Sequence, residues 1–281
     1  VYVRPELSSD DKELFKPIAD SGTEPIVSRA MASNFASKTS WGVTGNLNGQ
    51  TGERNAPVQA FAEIGDTIFI GGNYLNAEQR STGRVVPHKA LAAFDKTTGN
   101  LIEEFNVEFD NQVKALEPLP NGKLLVGGDF KKVNGEPHSG TVLLDPKTGA
   151  IDPSWNLNIT SRLAAGIVSV TAFSLTDQHI YIGGNFTHMQ GANSKVVYTR
   201  AAGRVNLDGT PDPTWNPEFN GTVMDIDTSP AGDKFYAAGF FTKSAGRTAI
   251  KAAILSTEPG ANPIGDWVFK GSASERGNYQ Q

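Results

Sequence analysis

The sequence contains no cysteine, so disulfides and thiolate metal sites are excluded. It also lacks any apolar run near the ~18 residues that a membrane-spanning helix needs. Neither charge sign dominates: the net charge is −5, which gives no basic field to attract nucleic acid or an anionic membrane. What remains is a globular chain of 281 residues, long enough to bury a sizeable core without covalent cross-links.

Internal repeats carry the fold prediction. Four segments share an apolar strand that ends in Gly-Gly or a close variant: IFIGGNY, LLVGGDF, IYIGGNF and FYAAGFF. Their last glycines are Gly72, Gly128, Gly184 and Gly239, which lie 56, 56 and 55 residues apart. A seven-residue match at so constant a period is typical of a repeat architecture.

The flanks of these segments repeat as well. A short apolar strand and a turn such as Asn121-Gly122 precede each one, and a third strand with an acidic turn usually follows. A fourth strand is expected to carry an aromatic landmark, and the landmarks are Trp41, Phe105, Trp155, Trp215 and Trp267. The sequence therefore predicts an all-β propeller of four-stranded blades. Period-two apolar spacing excludes a helical solenoid, and the rungs of a parallel β-helix, the rival architecture, are usually shorter.

The predicted organisation has three parts. Residues 41–270 form the propeller repeats, with approximate blades 56–106, 107–156, 157–216 and 217–270. Residues 1–40 are a lead-in that forms a degenerate blade or supplies a ring-closing strand between about Pro25 and Val43, and residues 271–281 are a polar tail. Four blades are at the low end for a closed ring. We therefore expect either a compact ring or part of a larger polypeptide or assembly, in which other chains complete or extend the ring.

Several motifs resemble those of the delta-sixty repeat propellers, a family of mostly uncharacterised bacterial proteins. The motifs are GGDFKKVNG at Gly127–Gly135, LLDPKTGAIDPSWN at Leu143–Asn156, GGNFTHMQG at Gly183–Gly191 and LDGTPDPTWNP at Leu207–Pro217. The resemblance covers about residues 56–270, with Ala238 in place of a glycine and Phe105 in place of a tryptophan. It implies a secreted or surface-anchored propeller, and it implies no reaction.

Acidic turns are the candidates for a metal site. Carboxylates that alternate with glycine suggest calcium ligands, and the candidates are Asp95, Asp145, Asp152, Asp208 and Asp212. However, aspartate at the first position of a turn with glycine at the last is ordinary turn chemistry. We expect these side chains to cap turns and the protein to need no cofactor, with calcium binding as the weaker alternative.

No local pattern identifies catalytic residues. The histidines His88, His138, His179 and His188 have no partner at metal-ligand spacing, and no hydrolase signature is found. The glycine pairs lie inside strands with no helix after them, which disfavours phosphate binding. The regular repetition of the tryptophans favours packing between blades over sugar stacking.

The differences between repeats indicate where binding occurs. The inserts Asn76–Lys89 and Ala192–Ala202 both follow the glycine strand, so they are expected at one rim of the ring. We predict a non-catalytic extracellular or cell-surface module for binding or scaffolding, with a protein or glycan partner at this rim. The alternative is a propeller hydrolase or lyase that acts on polysaccharide with acids and histidines gathered at the ring axis.

Overall fold

The protein is all-β in the computed structural model, which describes residues 41–47 and 58–264. This confirms that the chain is all-β. The strands in chain order are β1 (Trp41–Thr44), β2 (Val58–Ile64), β3 (Thr67–Gly72), β4 (Asn76–Gln79), β5 (Arg84–Pro87), β6 (Leu91–Asp95), β7 (Val113–Pro118), β8 (Leu124–Gly128), β9 (Lys132–Val133), β10 (Glu136–Pro137), β11 (Thr141–Leu144), β12 (Asn158–Thr160), β13 (Ser169–Leu175), β14 (His179–Asn185), β15 (His188–Gln190), β16 (Val197–Tyr198), β17 (Ala202–Asn206), β18 (Val223–Thr228), β19 (Lys234–Gly239), β20 (Lys243–Ser244), β21 (Arg247–Thr248) and β22 (Ala252–Ser256). A search of these residues finds no helix that is long and apolar enough to cross a membrane.

The repeats form four main antiparallel sheets. In strand order they are sheet 1 (β2-β3-β6), sheet 2 (β7-β8-β11), sheet 3 (β13-β14-β17) and sheet 4 (β18-β19-β22). The middle strand of each sheet carries the repeated glycine segment. Gly72, Gly128, Gly184 and Gly239 pair with the valines Val58, Val113, Val170 and Val223, each just before a bulge in the first strand.

Each main sheet has three strands where four-stranded blades were predicted. Within residues 58–264, the expected fourth strand amounts to one bridge, as in the pairing of Leu144 with Ile151 in sheet 2 and of Val205 with Pro211 in sheet 3. Ile151 is followed by Asp152-Pro153, and proline has no N–H with which to extend a ladder. The chain therefore turns away after a single pair.

A smaller sheet follows the middle strand of each main sheet. It lies at the end opposite to the turn that joins the first and second strands. Between the second and third strands of each repeat, the chain forms a hairpin: β4-β5, β9-β10, β15-β16 or β20-β21. Each hairpin also pairs with the chain that enters from the previous repeat. The pairs that fix this register are Val43 with Ala77, Phe109 with Val133, Ile159 with Met189 and Phe219 with Ser244.

This register corrects the prediction for Trp41. Trp155 lies four residues before the pairing residue Ile159, and Phe105 and Trp215 hold the same place in their own repeats. Trp41 lies only two residues before Val43 and pairs with Gln79 inside β1. It therefore belongs to the strand that enters the first repeat and is not a fourth-strand landmark. The sequence could not show this, because a single tryptophan does not indicate which strand or residue it pairs with.

Consecutive main sheets pack face to face. Their first strands are neighbours in chain order, with β2 against β7, β7 against β13 and β13 against β18. We call the side of a sheet toward the preceding sheet its near face, and the other side its far face. Three buried apolar clusters fill the interfaces, for example Phe69 on the far face of sheet 1 with Leu116 and Val126 on the near face of sheet 2. This arrangement is compatible with the predicted propeller.

The first glycine of each pair permits this close packing. A Cβ added at Gly71 would lie 2.5 Å from Val113 Cγ1, and one added at Gly127 would lie 2.6 Å from Val170 Cγ1. Both valines belong to the first strand of the next sheet, so a larger residue would push the sheets apart. Ala238 holds the equivalent place in sheet 4, after which no described main sheet follows.

The bend before each third strand is built alike in all four repeats. Its residue has a left-handed backbone: Ala90, Gly140, Ala201 and Lys251 have φ between 63° and 80°. The N–H of Ala90 donates to the Tyr74 carbonyl at 3.0 Å, and its own carbonyl accepts from Gly72 N–H at 2.9 Å. The other repeats contain the same two bonds, so backbone hydrogen bonds hold the bend even where glycine is absent.

Candidate binding site

A cavity of about 1110 Å³ opens at one end of sheets 2, 3 and 4. Its walls include the turns that join the first and second strands of sheets 3 and 4, and residues Thr257–Pro259 after β22. Because these turns lie at the same end of every sheet, consecutive repeats place them side by side. The small sheets leave from the other ends of the second strands, so the cavity is not at the rim that the inserts had indicated.

Two carboxylates in this cavity come from equivalent repeat positions. Glu117 on β7 pairs across its sheet with Leu125, and Asp227 on β18 pairs in the same way with Tyr236. Burial first, and the charge of Asp227 second, raise the pKa of Glu117 to about 7. The cavity therefore changes its charge near neutral pH.

A buried arginine forms part of the cavity wall. Arg204 on β17 is 5% exposed, and its Nε donates to Asp212 Oδ2 at 2.7 Å. Its Nη1 donates to the Tyr181 hydroxyl at 3.2 Å and also to the carbonyl of Thr257. These bonds tie sheet 3 to the segment after sheet 4, so the guanidinium is part of the framework.

His179 lies beside this ion pair. Its Nε2 is 3.9 Å from Asp212 Oδ2. Burial first, and the positive charge of Arg204 second, lower the pKa of His179, which keeps the ring neutral at pH 7. Arg204 and Asp212 offset each other, so the acidic lining residues Glu117, Asp177, Asp227 and Glu258 set the charge of the cavity.

Each predicted metal ligand caps its own turn, and Asp212 and Asp145 also pair with Arg204 and Lys123. Asp145 Oδ1 accepts from the N–H groups of Lys147 and Thr148, both at 3.0 Å. The bond from Thr148 N–H is the largest of the causes that hold the pKa of Asp145 at about 2. Asp95, Asp152, Asp208 and Asp212 accept backbone N–H groups two residues further on in the same way. The part of the chain that the structure describes contains no group of three or more side chains that could hold a metal ion. Metal independence stays a prediction.

The aromatic landmarks lie between sheets. Trp155 is 4% exposed and its indole N–H donates to Thr141 Oγ1 at 3.2 Å. Trp215 is fully buried, donates to the Ser256 carbonyl at 2.9 Å, and packs edge to face with Tyr181 and Phe235. Phe105 is also buried, whereas Trp267 lies outside the described residues. The faces of the two described tryptophans are occupied by protein side chains, not offered to a sugar.

The histidines do not come together. Of the four, His179 alone lines the cavity. His188 on β15 bonds to the hydroxyl of the preceding residue Thr187, and His138 follows β10. His88 is fully buried and neither of its ring nitrogens has a hydrogen-bond partner in the structure.

The insert Asn76–Lys89 forms the hairpin β4-β5, and the insert Ala192–Ala202 contains β16, which pairs with the preceding strand β15; each insert carries exposed apolar side chains. Val85 on the first is 52% exposed, and Val196 and Tyr198 on the second are 43% and 44% exposed. Neither insert contributes a residue to the cavity lining.

Sequence reasoning named His179 only as a histidine without a metal-ligand partner and Asp212 only as a weak calcium candidate, and it missed Glu117, Asp227 and Arg204. The sequence did contain one signal for Glu117 and Asp227. The repeat position that holds Ala62 in sheet 1 holds Glu117, Ser174 and Asp227 in the others, so its chemistry changes while the surrounding pattern stays the same. A repeat position whose residue varies between copies, while the packing residues around it stay the same, is a candidate for function.

Comparison with known proteins gives one family match. Residues 119–154, which run from the end of sheet 2's first strand to just before Trp155, match a model described as a domain of unknown function (DUF5122) beta-propeller. The match supports a β-propeller family. A search of the solved structures finds a similarity to the crystal structure of the computationally designed Ika4 protein, at 11% identity and a TM-score of 0.38, covering 72% of this chain and 91% of that one. A TM-score below 0.5 does not establish a shared fold. No curated protein matches the chain.

Proposed function

We propose that this chain is a four-bladed repeat region of the delta-sixty propeller type and acts as a non-catalytic extracellular or cell-surface binding module. The quoted motifs support the repeat type and, with it, the location. The propeller family match over residues 119–154 and the four equivalent main sheets support the architecture. The single bridge after each third strand stands where a fourth strand would begin.

The cavity at the turns of sheets 2, 3 and 4 carries the binding proposal. Its volume suits a ligand of several sugar units, and three repeats supply its walls. Glu117 and Asp177 accept no hydrogen bond from any described residue, whereas Arg204 and Asp212 are bonded to each other. Free carboxylates in an open cavity accept hydrogen bonds from hydroxyl or ammonium groups. A glycan, neutral or carrying amino groups, has the matching chemistry.

Titration with oligosaccharides in a calorimeter tests this proposal. We expect neutral or amino-sugar oligomers to bind with dissociation constants on the order of 10 μM to 1 mM. Glu117→Gln combined with Asp177→Asn should weaken binding at least about tenfold, because each change removes an acceptor charge. The matched control is Glu136→Gln on β10, outside the cavity lining. Absence of binding by every oligomer, or equal loss in the control, would contradict the proposal.

The same cavity also supports a second candidate, the polysaccharide hydrolase. The specific observation is the pKa of Glu117, raised to about 7 by burial and by the neighbouring charge of Asp227. A protonated acid beside an ionised carboxylate is the pair that glycoside hydrolysis uses. Glu117 would then protonate the leaving oxygen, and Asp227 would act as base or nucleophile. Release of reducing ends that Glu117→Gln abolishes would favour this candidate, whereas binding without release would favour the module.

A further inference from the structure

The chain leaves each small hairpin through a residue that lies two positions before the left-handed bend. We call it the hinge residue. In all four repeats its backbone N–H donates to the carbonyl of the residue that precedes the hairpin, over 2.9–3.0 Å. This bond closes the base of the hairpin. The backbone arrangement is thus common to the repeats, whereas the side chain differs, since the hinge residues are His88, His138, Thr199 and Ala249.

His88 differs from the other hinge residues because its side chain is both titratable and fully buried. It is 0% exposed, and neither of its ring nitrogens has a hydrogen-bond partner in the structure. His138 in the second repeat is partly exposed, and the hydroxyl of Thr199 in the third donates to the Ala202 carbonyl. A buried polar group without a partner is unfavourable, and a buried charge without a partner is far more so.

The charged groups around His88 are already paired. Of the described residues, Glu103 is the one whose charge acts on the ring, and its carboxylate accepts two 2.7 Å bonds from the guanidinium of Arg84 on β5. The next residue, Lys89, lies 3.4 Å from Glu108. Burial lowers the pKa of His88, and the charge of Glu103 offsets only part of this effect. The ring is therefore neutral at pH 7 while the hinge is closed.

The first hairpin covers an apolar cluster on sheet 1. β4 pairs with both β1 and β5, and the cluster that joins these strands to sheet 1 includes the buried residues Tyr74, Ala77 and Leu101. When the hinge opens, water reaches the imidazole ring and part of this cluster. The open form then binds a proton on His88 with an affinity close to that of a free histidine, whereas the closed form binds it more weakly.

We propose that the hinge at His88 is a pH-dependent switch, in which protonation below about pH 6 releases the hairpin β4-β5 from sheet 1. The direction follows from linkage. Because the closed form has the lower pKa, closure is fully favoured above about pH 6.5 and is progressively lost as the pH falls. Glu117 acts in the opposite direction, since acid favours the folded form in which its pKa is raised, so it cannot cause this opening.

Thiol labelling tests the switch, because the sequence contains no cysteine. Ala77→Cys places a probe on β4, and Ser244→Cys places a matched probe at the equivalent position of the fourth hairpin; the two natural side chains are 0% and 3% exposed. The reagent is 4,4′-dithiodipyridine, and each rate is divided by that of a free thiol at the same pH.

We expect the corrected rate at position 77 to rise at least about tenfold from pH 7.5 to pH 5, and the rate at position 244 to change less than about twofold. Equal rises at the two positions would indicate general unfolding and would overturn the proposal.

His88→Leu in the Ala77→Cys background identifies the titrating group. It removes the ring and keeps an apolar side chain of similar size, so the rise between pH 7.5 and pH 5 should shrink to less than about twofold. His138→Leu, at the hinge residue of the second repeat, is the matched control and should leave the rise unchanged. If His88→Leu alters the near-ultraviolet circular dichroism spectrum, His88→Gln replaces it. A rise that persists without a histidine at position 88, or no rise in the natural hinge, would refute the proposal.

Discussion

Sheets 2 and 4 are two copies of one repeat, yet the described main sheets cover both faces of sheet 2 and only one face of sheet 4. In sheet 2 the far face holds Ala115 and Gly127, and sheet 3 packs directly on them. In sheet 4 the equivalent residues are Asp225 and Ala238, and both are partly exposed. The near faces of both sheets are apolar and buried.

This contrast shows which features of the repeat respond to a neighbour. The apolar near face persists in both sheets because each has a preceding sheet to cover it. The glycine of the far face is present in sheets 1, 2 and 3, where the next sheet approaches, and is absent in sheet 4, after which no described main sheet follows. Many of the residues that the repeats share are therefore shared because they contact a neighbouring repeat. The following predictions test this view, from the largest expected effect to the smallest.

Removing the aromatic anchor of sheet 4's covered face should have the largest effect. Trp215→Ala deletes a fully buried indole that contacts Tyr181 and Phe235, and it leaves the Ser256 carbonyl without its donor. We expect a loss of about 3–5 kcal/mol in the free energy of unfolding, measured by urea denaturation. A loss below about 1 kcal/mol would contradict the assignment of Trp215 as a packing residue.

Adding a methyl group to the far face of sheet 2 should cost less. Gly127→Ala would bring its Cβ to 2.6 Å from Val170 Cγ1, so overpacking should lower the free energy of unfolding by about 2–3 kcal/mol. Gly183→Ala is the matched control in sheet 3. Its nearest contact would be 3.0 Å, so a loss of under about 1.5 kcal/mol is expected there. Equal losses at the two positions would argue against close approach as the reason for the glycines.

The partly buried carboxyl group of Glu117 in sheet 2 should make the stability of the protein depend on pH. The folded-state pKa of Glu117 is raised to about 7, so its contribution to stability falls as pH rises from the unfolded-state value toward 7 and is constant above it. Glu117→Gln should therefore raise the free energy of unfolding by about 1–2 kcal/mol at pH 8, allowing for its partial exposure, and change it little at pH 4.

Asp227→Asn should lower the pKa of Glu117 by less than half of its upward shift, because burial is the larger cause of that shift and the charge of Asp227 the smaller. Thermal denaturation of both variants across this pH range gives the comparison. A pH-independent difference between Glu117→Gln and the natural protein would show that Glu117 does not titrate near neutrality.

The smallest effect is expected on the far face of sheet 4. Ala238→Gly restores the glycine of the other repeats where no described sheet exploits it, so it should destabilise the protein by about 0.5–1 kcal/mol through backbone entropy alone. A gain in stability would mean that something does pack closely on the far face of sheet 4.

The repeat was readable from the sequence because it is set by local chemistry. Apolar alternation and turn residues such as Asn121-Gly122 identify strands and hairpins without knowledge of their neighbours. The middle strands, their glycines and the all-β class follow from those signals. The acidic turns were also predictable, since the side chain of Asp145 satisfies N–H groups only a few residues away.

Features that depend on distant segments were not readable. Trp41 was misassigned because the register of β1 depends on pairing with β4, more than 30 residues later. The fourth strands were predicted longer than the single bridge observed; a proline follows two residues after the bridging residue in sheets 2 and 3, but none follows Leu101 in sheet 1. The cavity was missed because Glu117 and Asp227 come from repeats about 110 residues apart, and only packing of the sheets brings them together.

The left-handed bend gives each repeat its own reporter of local opening. In every repeat the amide N–H of the bend residue donates one hydrogen bond and its carbonyl accepts another. The bend residues are Ala90, Gly140, Ala201 and Lys251. Hydrogen exchange at these four amides would therefore time the opening of each repeat separately within one molecule. If the chain opens as a single unit, the four amides will exchange together. If it behaves as a chain of coupled repeats, the amides of the first or last described repeat will exchange first, and their order will show at which end the repeats open.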